Sequence, residues 1–174
     1  LVGMSACCIV GRLAEIKVVQ VSYIINPYQA LMLLKESEQH GGHPCTKHIN
    51  LSNDQLMARL YQGDGARNGG IVYLSTFNSE RDASKAASQA FKNLPAGITG
   101  VINRKNMPEI RIDETINVRF AFGSGVRTLP ANHVKLILFA NEEQKKHGLF
   151  YIKTFYPCPP NSLRETSLEG NVDG

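Results

Sequence analysis

Apolar residues recur at helical spacing through most of the first half of the chain and alternate in much of the second. Leu13, Ile16, Val19 and Gln20 form one partial stripe. Ala30, Leu31, Leu33 and Leu34 form another, so residues 1–40 read as helical. Asn26-Pro27 between the two stripes is a helix start, with proline at the first turn. Residues 18–25 are rich in β-branched side chains, which keeps a strand there as an alternative. Gly41-Gly42 breaks the second helix. Ser52 opens the next one: it forms a capping box with Gln55, and Leu51 and Leu56 stand where a hydrophobic staple would sit. Leu56, Met57 and Leu60 turn towards a core, Arg59 lies at the edge of that face, and the helix ends near Gly63.

Residues 64–70 read as a polar, glycine-rich loop and residues 71–77 as a strand. Asn78 or Ser79 caps the clearest helix of the chain, with Ala83, Ala86, Ala87, Ala90, Phe91 and Leu94 in helical register. Beyond it the pattern changes to β. Residues 110–122 hold one or two strands, and Gly123-Ser124-Gly125 is a turn, too short for a phosphate loop. Val134, Leu136, Leu138 and Ala140 share one face of a strand, and residues 141–148 read as a charged hairpin loop. Residues 149–156 return as the antiparallel partner. Strict alternation would put Phe150, Ile152, Thr154 and Tyr156 on one face. Pro157, Pro159 and Pro160 end the strand, and residues 161–174 form a polar tail. Helices first, then a helix against a mostly antiparallel sheet, define an α+β fold with N-terminal helices packed on the sheet.

The chain has 174 residues, 43% hydrophobic and 20% charged, enough to bury a core as one domain with a small extra segment. Residues 1–11 are apolar but short and carry no basic leader, so they are not read as a signal peptide. No apolar run approaches the length of a membrane helix. A start at Leu1 rather than Met suggests a piece of a longer polypeptide. A net charge of +4 suits a nucleic acid or an acidic protein as partner. The cysteines Cys7, Cys8, Cys45 and Cys158 make neither a zinc ribbon nor a disulfide scaffold. Free thiols are expected, with a Cys45–Cys158 bridge as the alternative.

The chemistry concentrates in two segments. Gly41-Gly42-His43-Pro44-Cys45-Thr46-Lys47-His48-Ile49 leads into the helix that carries Arg59. Lys153-Thr154-Phe155-Tyr156-Pro157 lies near the other end. An imidazole moves protons near neutral pH, and a guanidinium matches the oxygens of a phosphate. RNA cleavage without a metal needs a base for the 2′-hydroxyl, an acid for the leaving 5′-oxygen, and donors for the pentavalent transition state. His48 can serve as base or acid, Arg59 can hold phosphate oxygens, and Thr154 and Tyr156 can donate hydrogen bonds to them. Lys47 and Lys153 are additional cations. Two other classes compete with this reading. His40, His43, Cys45 and His48 could offer zinc ligands to a hydrolase, although their spacing matches no usual site. A basic module could also bind RNA or protein without turnover. Cys45 beside His43 and His48 is a weak nucleophile candidate.

Gly41-Gly42-His43, Lys47-His48-Ile49 and Gln55-Leu56-Met57-Ala58-Arg59-Leu60 together resemble the opening of a known family. It is the bacterial ribonuclease A-like toxin domain at the C-terminus of CdiA effectors of contact-dependent growth inhibition. Ser75-Thr76-Phe77 with the alanine-rich helix over residues 83–91 resembles its next block. Phe150-Tyr151-Ile152-Lys153-Thr154-Phe155-Tyr156-Pro157 resembles its closing strand, which usually ends in Thr-Ala-Tyr-Pro. The resemblance covers residues 41–157, implied to be a nuclease domain over 41–160. Residues 1–40 are left as a cap or the remnant of an entry segment.

It implies a cytotoxic ribonuclease, exported on the surface of the producing cell within a larger effector and acting in the cytoplasm of a target bacterium. It also implies an RNA substrate (tRNA among the candidates), a cognate immunity protein with an acidic surface, and no metal or other cofactor. No stable membrane insertion is expected of the nuclease domain. The family's active-site positions carry over to His48, Arg59, Thr154 and Tyr156, with His43, Lys47 and Lys153 in support. Phe155 replaces a usual small residue, Asn50 stands where glycine is common, and residues 94–119 align poorly. A ribonuclease A-like fold is implied. The barnase–EndoU–colicin–RelE type, with its own small antiparallel sheet, is the alternative.

Overall fold

The computed structural model of this chain describes residues 23–161 and 163. The stripe of Leu13, Ile16, Val19 and Gln20, the thiols of Cys7 and Cys8, and nearly all of the polar tail lie outside the described residues.

Helix α1 (Pro27–Gln39) begins where its caps require. The Asn26 side chain accepts from the Gln29 N–H at 2.8 Å, and the Gln29 side chain accepts from the Asn26 N–H at 2.9 Å. Ala30, Leu33 and Leu34 are buried. Residues 23–26 carry no regular structure, so the described part of residues 18–25 is not a strand. A short helix, α2 (Pro44–His48), follows Gly41-Gly42, ahead of the helix that the sequence opens at Ser52. Helix α3 (Asn53–Tyr61) has the reciprocal Ser52–Gln55 capping box.

Residues 64–70 are not wholly loop, because Ala66–Asn68 forms a short strand β1 paired with β2 (Ile71–Thr76) through a two-glycine turn. Ser79 caps α4 (Glu80–Lys92), which buries Ala83, Ala86, Ala87, Ala90 and Phe91. After α5 (Gly97–Val101), β3 (Ile110–Phe122) and β4 (Gly125–Phe139) form a long hairpin. Residues 141–148 contain a short helix, α6 (Glu142–Lys146), and β5 (Tyr151–Pro157) completes the sheet. The fold is α+β, with five antiparallel strands in the order β1-β2-β3-β4-β5.

The sheet separates two apolar clusters. The larger joins Leu33 and Leu34 of α1 and Phe91 of α4 to Phe120, Leu136, Leu138, Ile152 and Phe155 of the sheet. The smaller joins Leu51 and Leu56 to Leu74 and Ala121, so α3 is held by its own patch of β2 and β3. The sheet curves enough to bring its second and fifth strands together. Ser75 Oγ donates to the Pro157 carbonyl at 2.7 Å, and the Phe77 and Phe155 rings stack at 5.0 Å.

One irregularity corrects the alternation expected of β5. Ile137 pairs with Thr154 but Leu138 pairs with Ile152, which leaves Lys153 as an extra residue in a β-bulge. The bulge shifts the alternation by one position. Ile152 and Phe155 are therefore both buried against the large core, and Thr154 and Tyr156 leave the face on which Phe150 and Ile152 lie. Phe155 points into the core and not into the cleft described below.

Candidate active site

His48 is the last residue of α2, and its environment is set by β2. Phe77 N–H donates to the His48 carbonyl at 2.8 Å, and Asn50 N–H donates to the Phe77 carbonyl at 2.7 Å. Asn50 sits between them with φ 52°, a left-handed conformation that asparagine tolerates and glycine adopts freely. The backbone therefore supplies a physical reason why glycine would suit this position.

His48 is 7% exposed. Its Nδ1 lies 3.0 Å from the Ser75 carbonyl oxygen. A carbonyl only accepts, so Nδ1 carries the proton in the neutral ring and Nε2 holds the lone pair. Burial pushes the pKa of His48 down to about 4. The Ser75 hydrogen bond opposes that shift, while the nearby charges of Arg59, Lys47 and His43 add to it. His48 is thus a neutral imidazole with a fixed tautomer at neutral pH.

Arg59 reaches the same place from α3. Its Nη1 donates to the Lys47 carbonyl at 2.6 Å, and its Nε donates to Asp64 at 3.2 Å. Tyr156 reaches it from β5, its ring 5.1 Å from the His48 ring. Burial, then Cys158 and Glu109, push the Tyr156 phenol up to about 12, so it stays protonated as a donor. One cleft is lined by Lys47, His48, Arg59, Thr154 and Tyr156 together with Asp64, Tyr73 and Ser75. His43 and Lys153 do not line it. They instead join the approach to α2 to the bulge of β5: His43 N–H donates to the Lys153 carbonyl at 2.9 Å, and Lys153 Nζ donates to the Gly41 carbonyl at 3.0 Å.

Asp64, Tyr73 and Ser75 were not anticipated as site residues. Ser75 belongs to the Ser75-Thr76-Phe77 run, but its use of a backbone carbonyl has no sequence signal. Asp64 lay in a stretch read as polar loop. The alternatives fare differently. His40 stacks with Tyr151, its ring 6.3 Å away, and among the described residues no group of three or more His, Cys, Asp or Glu side chains converges as a metal site. Cys45 and Cys158 are not bridged in a disulfide. Burial, then Glu38 and Glu80, push the Cys45 thiol up to about 11, which keeps it from acting as a thiolate nucleophile.

The buried histidine makes stability depend on pH with a definite sign. The ordinary histidine value is 6.5 and the folded value is about 4. Between those values the unfolded chain takes up a proton that the folded chain does not, so this group costs stability as pH falls through that window. The loss reaches about 3 kcal/mol at its lower end. Denaturant titrations of the wild type from pH 7 to pH 4 should show this decline. His48→Asn should show a shallower one, and parallel curves would refute the coupling.

Among described residues, no helix is long and apolar enough to cross a membrane. A family model described as the bacterial CdiA-CT RNAse A domain matches residues 42–157. No curated protein and no solved structure matches the chain.

Proposed function

The chain belongs to the bacterial CdiA-CT RNase A domain family, that of a ribonuclease toxin acting on RNA, and from that premise we propose a metal-independent endoribonuclease whose catalytic residues are His48, Arg59, Thr154 and Tyr156. Neutral His48, its tautomer held by the Ser75 carbonyl within a cleft shared with Arg59 and Tyr156, is the observation that carries this reading.

In this mechanism Nε2 of His48 takes the proton of a ribose 2′-hydroxyl. The 2′-oxygen attacks phosphorus, and the bond to the 5′-oxygen breaks as that oxygen takes the proton from the His48 imidazolium, which returns the ring to its neutral form. The products are a 2′,3′-cyclic phosphate and a 5′-hydroxyl end. Arg59 and Lys47 bind the nonbridging oxygens, on which charge builds in the transition state. Thr154 and the protonated Tyr156 phenol donate to the same oxygens or to the leaving group. A bound phosphate offsets the positive field of Arg59 and Lys47, which makes the His48 imidazolium easier to form as the reaction proceeds.

His43 and Lys153 support the site by fixing α2 against β5. The domain is delivered at the C-terminus of a CdiA effector on the cell surface and acts in the target cytoplasm, with tRNA as a candidate substrate. A cognate immunity protein with an acidic surface covers the cleft, since a net charge of +4 favours association with an acidic partner.

The test is purified protein with total bacterial RNA in the presence of EDTA. Discrete fragments with cyclic phosphate ends are expected. Intact RNA, or cleavage that EDTA abolishes, would overturn the mechanism.

A further inference from the structure

Helix α2 is too short to stand alone, and it carries His48 at its end. Its first-turn donors need partners. Pro44 has no N–H to satisfy, and the His43 side chain makes no capping hydrogen bond. The two free donors of that turn are both taken by Glu38 of α1. Its Oε1 accepts from the Cys45 N–H at 2.6 Å and from the Thr46 N–H at 2.8 Å. Its Oε2 accepts from the Thr46 hydroxyl at 3.1 Å. The same end of α1 also reaches the strand that carries Thr154 and Tyr156. Ser37 Oγ accepts from the Ile152 N–H at 2.8 Å and donates to the Leu33 carbonyl at 2.7 Å. The Ser37 carbonyl accepts from the Gly42 N–H at 2.9 Å.

We propose that Glu38 is a positioning residue for His48, and that α1, although it precedes the family match, is part of the catalytic unit. The carboxylate stands in for an N-cap that α2 lacks, and so sets where the helix ends and where the imidazole sits. The inference rests on His48 being the base, as proposed above.

Two variants separate the possibilities. Glu38→Ala removes the acceptors, while Glu38→Gln keeps an amide oxygen where Oε1 receives both backbone donors. Single-turnover cleavage of a short RNA should fall roughly 10- to 100-fold in Glu38→Ala with KM unchanged, because a small displacement of a catalytic group acts on the chemical step. Glu38→Gln should stay within about threefold of wild type. The ¹⁵N imidazole signals of His48 should shift in Glu38→Ala and not in Glu38→Gln.

A folded Glu38→Ala protein with wild-type kcat overturns the inference. So does a Glu38→Gln protein as impaired as Glu38→Ala. If Glu38→Ala does not fold, Glu38→Gln alone decides, by retaining or losing activity. If wild-type protein cleaves no RNA, the ribonuclease reading fails, and the histidine spectra still report whether Glu38 fixes the ring.

Discussion

Replacing His48 by asparagine is expected to lower the cleavage rate by ~10²–10⁴-fold, the usual contribution of a positioned general base, while RNA binding stays near the wild-type value. Asparagine is the informative choice. Its amide nitrogen can take the place of Nδ1 and donate to the Ser75 carbonyl, which lies 3.0 Å from the imidazole in the native protein. Alanine would leave that buried carbonyl without its partner, at a cost of about 1–3 kcal/mol, and would mix a folding effect with the catalytic one. Asparagine has no lone-pair nitrogen to accept a proton. Arg59 and Lys47 remain in place, so the cations proposed to hold phosphate are intact. Melting temperature, RNA affinity and single-turnover rate together separate these contributions.

The pH profile adds a second criterion. The free protein holds His48 near pKa 4, so kcat/KM should have its acid limb near that value. The limb of kcat should lie higher, because bound phosphate favours the imidazolium. A His48→Asn protein with wild-type turnover would remove this residue from the mechanism.

The local signals of the sequence were read most directly where the chain supplies its own caps. α1, α3 and α4 start at Asn26, Ser52 and Ser79 because those side chains bond backbone donors within their own first turns. α2 escaped that reading because its cap comes from Glu38, outside the helix, and because five residues hold too little periodicity to detect. The first half of β4 escaped it because exposed and half-buried residues around Pro130 show no clean alternation. In β5 the period itself misled. Alternation assigned Thr154 and Tyr156 to the face of Ile152, and the bulge at Lys153 moves them off it.

The site followed the same division. The chemistry of His48, Arg59, Thr154 and Tyr156 can be read from residue type and from family resemblance, but their convergence depends on a sheet that curves until β2 meets β5. Nothing local reports that curvature. Asp64 is the local exception: its carboxylate meets Arg59 where Gly63, at φ 87°, turns the chain back at the end of α3.

Gly42→Ala tests the junction on which both the fold and the cleft depend. A methyl group at residue 42 would lie 2.0 Å from the Ile152 carbonyl oxygen and 2.9 Å from the Ser37 carbonyl oxygen. Both obstacles are backbone, so neither can swing aside as a side chain would. One of α1, the Gly41–His43 crossing or β5 must move. The expected loss is about 3 kcal/mol or more, the upper range for overpacking, which corresponds to a fall in melting temperature of roughly 10 °C for a domain of this size.

Gly41→Ala is the control. Its φ of 90° strains an L-residue, but nothing lies within 4 Å of the added carbon, so about 1 kcal/mol is expected. The larger effect at position 42 therefore measures close approach and not backbone conformation. Because the displaced strand carries Thr154 and Tyr156 beyond the bulge, cleavage by the folded fraction of Gly42→Ala should also drop. Equal stability of the two variants would show that α1 and β5 do not meet at residue 42 as closely as described, and would weaken the case that α1 belongs to the catalytic unit.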